Sequence, residues 1–255
     1  MDFTLKTYQE LLAVLKTCYA FRTFEDYAGK PEDKKLIILR HDVDKCPGRS
    51  LAFARIQAKA GIRGTYYFRA VPESWDEGII REIRDLGHEV GYHYESLTTC
   101  HGEVDRAYED FCRNLERLRR LVPVATICMH GSPRSPWDSK DIWKKYDYRE
   151  LGIIAEPYLD IDFSNLFYLT DTGRRWDGYE VSVRDKIPGY QEKWESQGLR
   201  YHSTYDVINA VEKGQFPPKV MITNHPQRWT DDRLAWFREW IEQSVKNQIK
   251  RLLIQ

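Results

Sequence analysis

Four short, mostly apolar runs in this 255-residue chain lead into histidine or aspartate. Leu36-Ile-Ile-Leu39 enters Arg40, His41, Asp42 and Asp44, and His88-Glu-Val-Gly-Tyr ends in His93. Val124-Ala-Thr-Ile-Cys-Met129 delivers His130, and Lys219-Val-Met-Ile-Thr223 delivers Asn224 and His225. A run such as 36–39, with no polar alternation, fits a strand covered on both faces of a parallel sheet. A further strand is expected over Gly64-Thr-Tyr-Tyr-Phe-Arg69. Helical patterns lie between the runs: about 50–60 ending at Gly61, 76–86 at Gly87, and 203–211 at Gly214. The longest carries Val104, Tyr108, Phe111, Cys112, Leu115 and Leu118 and is ended by Pro123. Strands alternating with helices predict a parallel α/β fold. In such folds the carboxyl ends of the strands share one face, where ligands bind. The runs therefore predict one cluster of ionisable groups.

The rest of the chain is less regular. Leu5, Tyr8, Leu11, Leu12, Leu15 and Tyr19 predict a helix over 5–20, with Thr7 and Glu10 as a capping box, placed to plug or cover one end of the fold. Short strands are expected at Gly152-Ile-Ile-Ala155 and 166–169. An amphipathic helix over 230–253, with Leu234, Phe237, Ile241, Val245, Ile249 and Leu252 as its apolar stripe, is expected to close a single domain spanning 1–255. Lysine plus arginine equals aspartate plus glutamate at 39 each, so nothing pulls the chain toward nucleic acid or anionic lipid. No apolar stretch reaches membrane-spanning length. Five cysteines without a CxxC pair, behind a start lacking signal-peptide character, read as reduced thiols in a cytoplasmic protein. The 16 Tyr, 10 Phe and 8 Trp suit a sugar cleft, although most should be core.

Asp42 and Asp44 converging with several histidines make a plausible site for zinc or another divalent metal. With the strand breaking into a loop there, one aspartate is free to bind metal and the other to act as base. Amide hydrolysis also needs an acid for the departing amine, a task suited to histidine near neutral pH. The bland alternatives are aspartates bonding backbone N–H groups in a turn, and histidines buried in the core.

The order of these motifs resembles the NodB-type polysaccharide deacetylases, carbohydrate esterase family four, over roughly residues 36–229. Arg40-His-Asp-Val-Asp44 is similar to the family's first motif in an Asp-x-Asp form, which implies Asp42 as catalytic base and Asp44 as metal ligand. Gly87-His-Glu-Val-Gly-Tyr-His93 resembles the approach to the second motif and implies His93 as a ligand. Thr223-Asn-His225 resembles the last motif, whose histidine protonates the leaving amine. Asp171-Thr-Gly-Arg-Arg-Trp176 is similar in position to the motif whose aspartate tunes that acid and whose tryptophan lines the cleft. The chain departs from the pattern at Val43, where the commoner form has its metal-binding aspartate, and at Leu97, where a second histidine is expected. His130 is the preferred third ligand, ahead of Glu95 and His101, with His41 last. Arg40, Glu95, Arg174 and Trp176 are the expected substrate contacts.

The resemblance implies a distorted (β/α) barrel, mostly of parallel strands. It also implies one divalent ion (zinc first, then cobalt or nickel) and hydrolysis of an N-acetyl or O-acetyl group on a sugar. Bacterial surface polysaccharide or O-antigen precursors are the favoured context. Hydrolysis of another non-peptide amide, or a catalytically silent sugar-binding protein, are the other two readings. Oligomeric state is left open.

Overall fold

The computed structural model describes residues 1–30, 32–132, 135–177 and 186–254, with side chains described to residue 248. Its spine is β2 (Leu36–Val43), in which all eight residues are buried. Upstream lie α1 (Leu5–Lys16), β1 (Ala20–Arg22) and α2 (Phe24–Ala28). Downstream follow α3 (Pro47–Lys59), β3 (Thr65–Phe68), α4 (Glu77–Asp85), β4 (Glu89–Tyr94), α5 (Ser96–Thr99), α6 (Val104–Arg119) and β5 (Ile127–Met129). The second half contributes α7 (Pro157–Asp160), β6 (Phe167–Thr170), α8 (Gln191–Ser196), α9 (Thr204–Glu212), β7 (Lys219–Asn224) and α10 (Arg233–Ile254).

The sheet has seven strands in the order β5-β4-β3-β2-β7-β6, with β1 paired to β2, and every pairing is parallel. One edge of β2 carries β7. The other carries β1 beside Leu36–Ile38 and then β3 beside Arg40–Val43. The strands curl into a half-barrel of α/β type. On its inner face the Arg40 guanidinium meets the rings of Tyr67 and Tyr158 at 6.0 and 5.0 Å. Tyr158 in turn approaches Tyr168 of β6. Between β5 and β6 the gap is spanned by irregular chain: Ala155 bridges to Thr126, and Glu156 accepts from the Met129 N–H at 3.0 Å. The expected strand at 152–155 is thus a single bridge at a sheet edge, too short to make a ladder.

Local chemistry explains most boundaries. α1 is capped by Thr4, whose hydroxyl accepts from the Thr7 N–H at 3.0 Å, so the cap sits one residue before the apolar stripe and not at Thr7. This helix lies against the outer face of β2 and packs on α3 and α9. Tyr8 reaches outward-facing His41 of β2 at 3.2 Å and stacks on Phe53 of α3. The amino-terminal end of the strands meets α2, an element with too little pattern to be expected. The Phe24 and Glu25 N–H groups bond Thr65 of β3 and Glu89 of β4. Ser203 and Asp206 form the capping box of α9.

One element differs in orientation from its sequence pattern. Leu234, Phe237, Ile241 and Val245 of α10 are exposed. The helix is held instead by Asn247, which donates to the Gly173 carbonyl, by Gln243, which is buried, and by Trp236, which donates to the Asp2 carbonyl. Ile249 and Leu252 of the same stripe lie outside the described side chains. Among the described residues no helix is long and apolar enough to cross a membrane.

Gly91 of β4 shows how tightly the inner face is filled. A Cβ there would run into the Tyr67 ring and stand 2.8 Å from the Thr126 carbonyl. Gly91→Ala is expected to lower the unfolding free energy by about 3 kcal/mol, because the buried Tyr67 ring, tied to Thr126 by its hydroxyl, and the Thr126 main chain must both shift to admit the methyl group. Urea denaturation checks this, and an unchanged midpoint would contradict the packing described.

Candidate functional site

Alternation along β2 turns Arg40 and Asp42 to the same, inner face. Arg40 grips Asp42 with both arms of its fork, Nε to Oδ1 at 2.8 Å and Nη2 to Oδ2 at 2.7 Å, and both side chains are almost wholly buried. Arg40, expected as a substrate contact, is therefore committed to holding Asp42.

Asp44 follows just past the strand. His93, on β4, donates from Nδ1 to the Cys128 carbonyl at 2.9 Å, which leaves Nε2 as the lone-pair nitrogen. That Nε2 lies 3.7 Å from Asp44 Oδ1 and 3.7 Å from Asp42 Oδ2. Burial and then neighbouring His130 hold the His93 imidazole well below its ordinary pKa, so it is neutral near pH 7. His130 follows β5. Its Nδ1 bonds Glu95 Oε2 at 2.8 Å, and its Nε2 lies 3.6 Å from Asp44 Oδ1.

Asp44, His93 and His130 each offer one atom within 4.8 Å of the others. Asp44 Oδ1 is buried without a hydrogen-bond partner among the described residues. Spacings of 3.6–3.7 Å are too long for hydrogen bonds. They are the separations expected of atoms sharing one ion at about 2.0–2.2 Å from each. The donor set therefore fits a divalent metal. A second trio, Asp42, His93 and Cys128, is also close. It fits less well, because an ion on Asp42 would stand against the positive Arg40 guanidinium that grips both its oxygens, and the Cys128 thiol donates to the Met129 carbonyl.

Glu95 does not face outward to a substrate. It accepts from Arg69 Nη2 at 2.7 and 3.0 Å and from Arg69 Nε at 3.0 Å, besides bonding His130. Burial would raise its pKa, but His130 and Arg69 together hold it down to about 2. Leu97 is buried against Ala107 and Ile142, so no ligand comes from that helical position. His101 stands on an exposed turn beside Trp137. His41 is sealed on the outer face between Tyr8, Gln57 and the Thr65 carbonyl.

Across the cluster, β6 and β7 bring in a second pair. Asp171 Oδ1 takes the His225 Nδ1 hydrogen bond at 2.6 Å, while Oδ2 accepts from the His225 N–H at 2.9 Å and Trp229 Nε1 at 2.6 Å. His225 Nε2 points to Asp44 Oδ2 at 4.0 Å, and Gln227 donates to that same oxygen at 2.9 Å. Burial would raise the Asp171 pKa, but His225 and Arg228 hold it down to about 2. Burial and Arg228 push the His225 pKa down; Asp171, with help from Asp44, outweighs them and leaves it above its ordinary value.

Two expected substrate contacts lie elsewhere. Arg174 adopts a left-handed backbone, with φ of 56°, and sends Nη1 to the Trp236 carbonyl of α10 at 2.9 Å. Trp176 is a core residue packed with Phe3 and Trp229, its indole N–H on Thr204. Sequence reasoning missed Arg69, Gln227 and Arg228. Arg69 ends the strand read over 64–69, so the strand-end rule that found the histidines also covers it.

No family model matches this sequence, and no curated protein matches it. Solved structures do resemble the fold. A CE4 family pseudoenzyme from Bacillus anthracis aligns with a TM-score of 0.42 at 13% identity, covering 86% of this chain and 62% of its own. PdaA of Bacillus subtilis, a family 4 carbohydrate esterase, aligns at 0.41 and 14% identity over 84% of this chain and 76% of its own. A family 4 carbohydrate esterase from Streptomyces lividans, in complex with acetate, aligns at 0.41 and 12% identity over 84% and 91%. The chain thus spans less than two thirds of the first of these.

The Asp171 environment has a consequence in acid. A carboxyl held at about 2 in the fold, against about 3.8 when unfolded, stabilises the protein fully above the unfolded value. That contribution is lost as pH falls through about 2. Asp171→Asn should therefore be less stable than the wild type by roughly 2 kcal/mol at pH 6, with the gap closing between pH 4 and 2. Denaturant unfolding at several pH values measures it; a gap independent of pH would contradict the assignment.

Proposed function

We propose that this protein is a metal-dependent hydrolase that removes an acetyl group from an N-acetylated or O-acetylated sugar. The observation that carries the reading is the meeting of Asp44, His93 and His130, each offering one atom within 4.8 Å of the others, with an Asp171–His225 pair facing them. Asp44 Oδ1, His93 Nε2 and His130 Nε2 would hold one divalent ion, with zinc the first candidate for this nitrogen and oxygen set. Such an ion supplies Lewis acidity toward a carbonyl and toward water.

The chain's own groups supply the proton traffic. Asp42, fixed by Arg40 but with lone pairs still open, takes the proton from the attacking water. Oxygen bonds to the acetyl carbon as the carbon–nitrogen bond breaks, and His225 Nε2 gives its proton to the departing amine, releasing acetate. Asp171 keeps His225 oriented and favours its charged form, which suits it as an acid. Glu95 and Arg69 orient His130 as a carboxylate commonly orients a ligating imidazole. Hydrolysis of another non-peptide amide would use the same groups, so the sugar is the part of the proposal that a substrate panel decides. Precursors of bacterial surface polysaccharide are the substrates to try first.

Purified wild type is expected to carry near-stoichiometric divalent metal by elemental analysis, and His93→Ala and His130→Ala to lose it. Asp42→Asn should keep the metal while acetate release falls by about 100-fold or more. A wild-type rate in Asp42→Asn would sink the mechanism, and no uptake of zinc, cobalt or nickel would sink the metal.

A further inference from the structure

A hollow of about 380 Å³ opens beside the reaction centre, walled by Met129, Tyr158, Phe163 and Ile187, with Lys140 and Lys186 at its sides. Its size falls in the range of small-ligand sites, roughly 300–1,000 Å³. Two of its lining residues neighbour the site above. Met129 is followed directly by His130, and the ring of Tyr158 carries the Arg40 guanidinium that grips Asp42. A sugar whose acetyl group reaches Asp44, His93 and His130 has this hollow as an adjoining space for the rest of the molecule.

The lining has a particular chemistry. Tyr158 and Phe163 give flat apolar surface of the kind a sugar ring covers. Lys140 Nζ stands 5.1 Å from the Tyr158 ring and 3.4 Å from Asp138, the one acid among the lining residues. Lys186 is exposed and has no ion-pair partner among the described residues. Among the described lining residues two ammonium groups thus face one carboxylate, so positive charge is in excess beside the ring surface.

We propose that this hollow is a subsite for an anionic group, phosphate or carboxylate, borne by the acetylated sugar, with Lys140 and Lys186 as the residues that select it. The inference rests on the deacetylase reading and narrows its substrate class to charged sugars. Arg174, expected as a substrate contact, takes no part in it, being turned toward α10. A neutral sugar gains only the ring surface. An anionic one also neutralises the excess charge, a gain that salt screens.

The test compares acetate release from N-acetylglucosamine, its 1-phosphate and the matching N-acetylated uronic acid, in wild type, Lys140→Ala/Lys186→Ala and Lys140→Arg/Lys186→Arg. The wild type should show a KM about tenfold lower for at least one anionic sugar than for the neutral one. The alanine double variant should lose that preference, the arginine one should keep it, and added salt should shrink it. Preference for the phosphate alone or the uronic acid alone identifies which anion the site takes. Equal KM values for neutral and charged sugars in wild type, or a preference that survives in the alanine variant, overturn the subsite alone. Failure to release acetate from any sugar overturns the deacetylase reading. Calorimetric binding of the 1-phosphate then decides the subsite, since wild type must bind it more tightly than the alanine variant.

Discussion

The ion pair between Arg40 and Asp42 sits on the central strand of the sheet, almost wholly shut away from water. Taking either charge into that interior alone would cost several kcal/mol. Together they are tolerable because the fork geometry satisfies both carboxylate oxygens and the guanidinium plane lies near the rings of Tyr67 and Tyr158. Much of the inner face is arranged around this requirement. Tyr67 can lie across β4 only because Gly91 has no side chain, and Tyr158 reaches Arg40 only because irregular chain spans the gap between β5 and β6. The same pair fixes the angle at which Asp42 faces His93.

The site was legible in the sequence to the extent that it depends on strand ends. In a parallel sheet every carboxyl end opens on one face, so Asp42, Asp44, His93, His130 and His225 could be gathered without knowing a single distance. His130 standing where Leu97 offers nothing follows from the same rule, since β5 lies beside β4. Side-chain direction was the harder matter. Arg40 is two residues from Asp42, and strand alternation alone places them on one face, yet the pairing competes with any contact to substrate. Arg174 and Trp176 lie in a stretch with no periodicity, where positive φ at Gly173 and Arg174 turns the chain in a way composition does not announce.

The last helix teaches a different limit. Spacing along α10 shows that an apolar stripe exists, but not that anything covers it, and the contacts that seat the helix come from polar atoms of Gln243 and Asn247 and the indole of Trp236. Glu95 shows the converse. Its position beside the cluster was apparent, while its role depends on Arg69, a partner 26 residues away in sequence.

The two imidazoles of the cluster are anchored in unlike ways. His93 rests on a main-chain carbonyl, that of Cys128, which any substitution that preserves the strand leaves in place. His130 rests on the side chain of Glu95, which rests in turn on the side chain of Arg69. The first orientation is thus a property of the backbone, inherited with the fold itself. The second is written in two replaceable residues, so drift among descendants of this chain would loosen or retune one side of the centre long before the other.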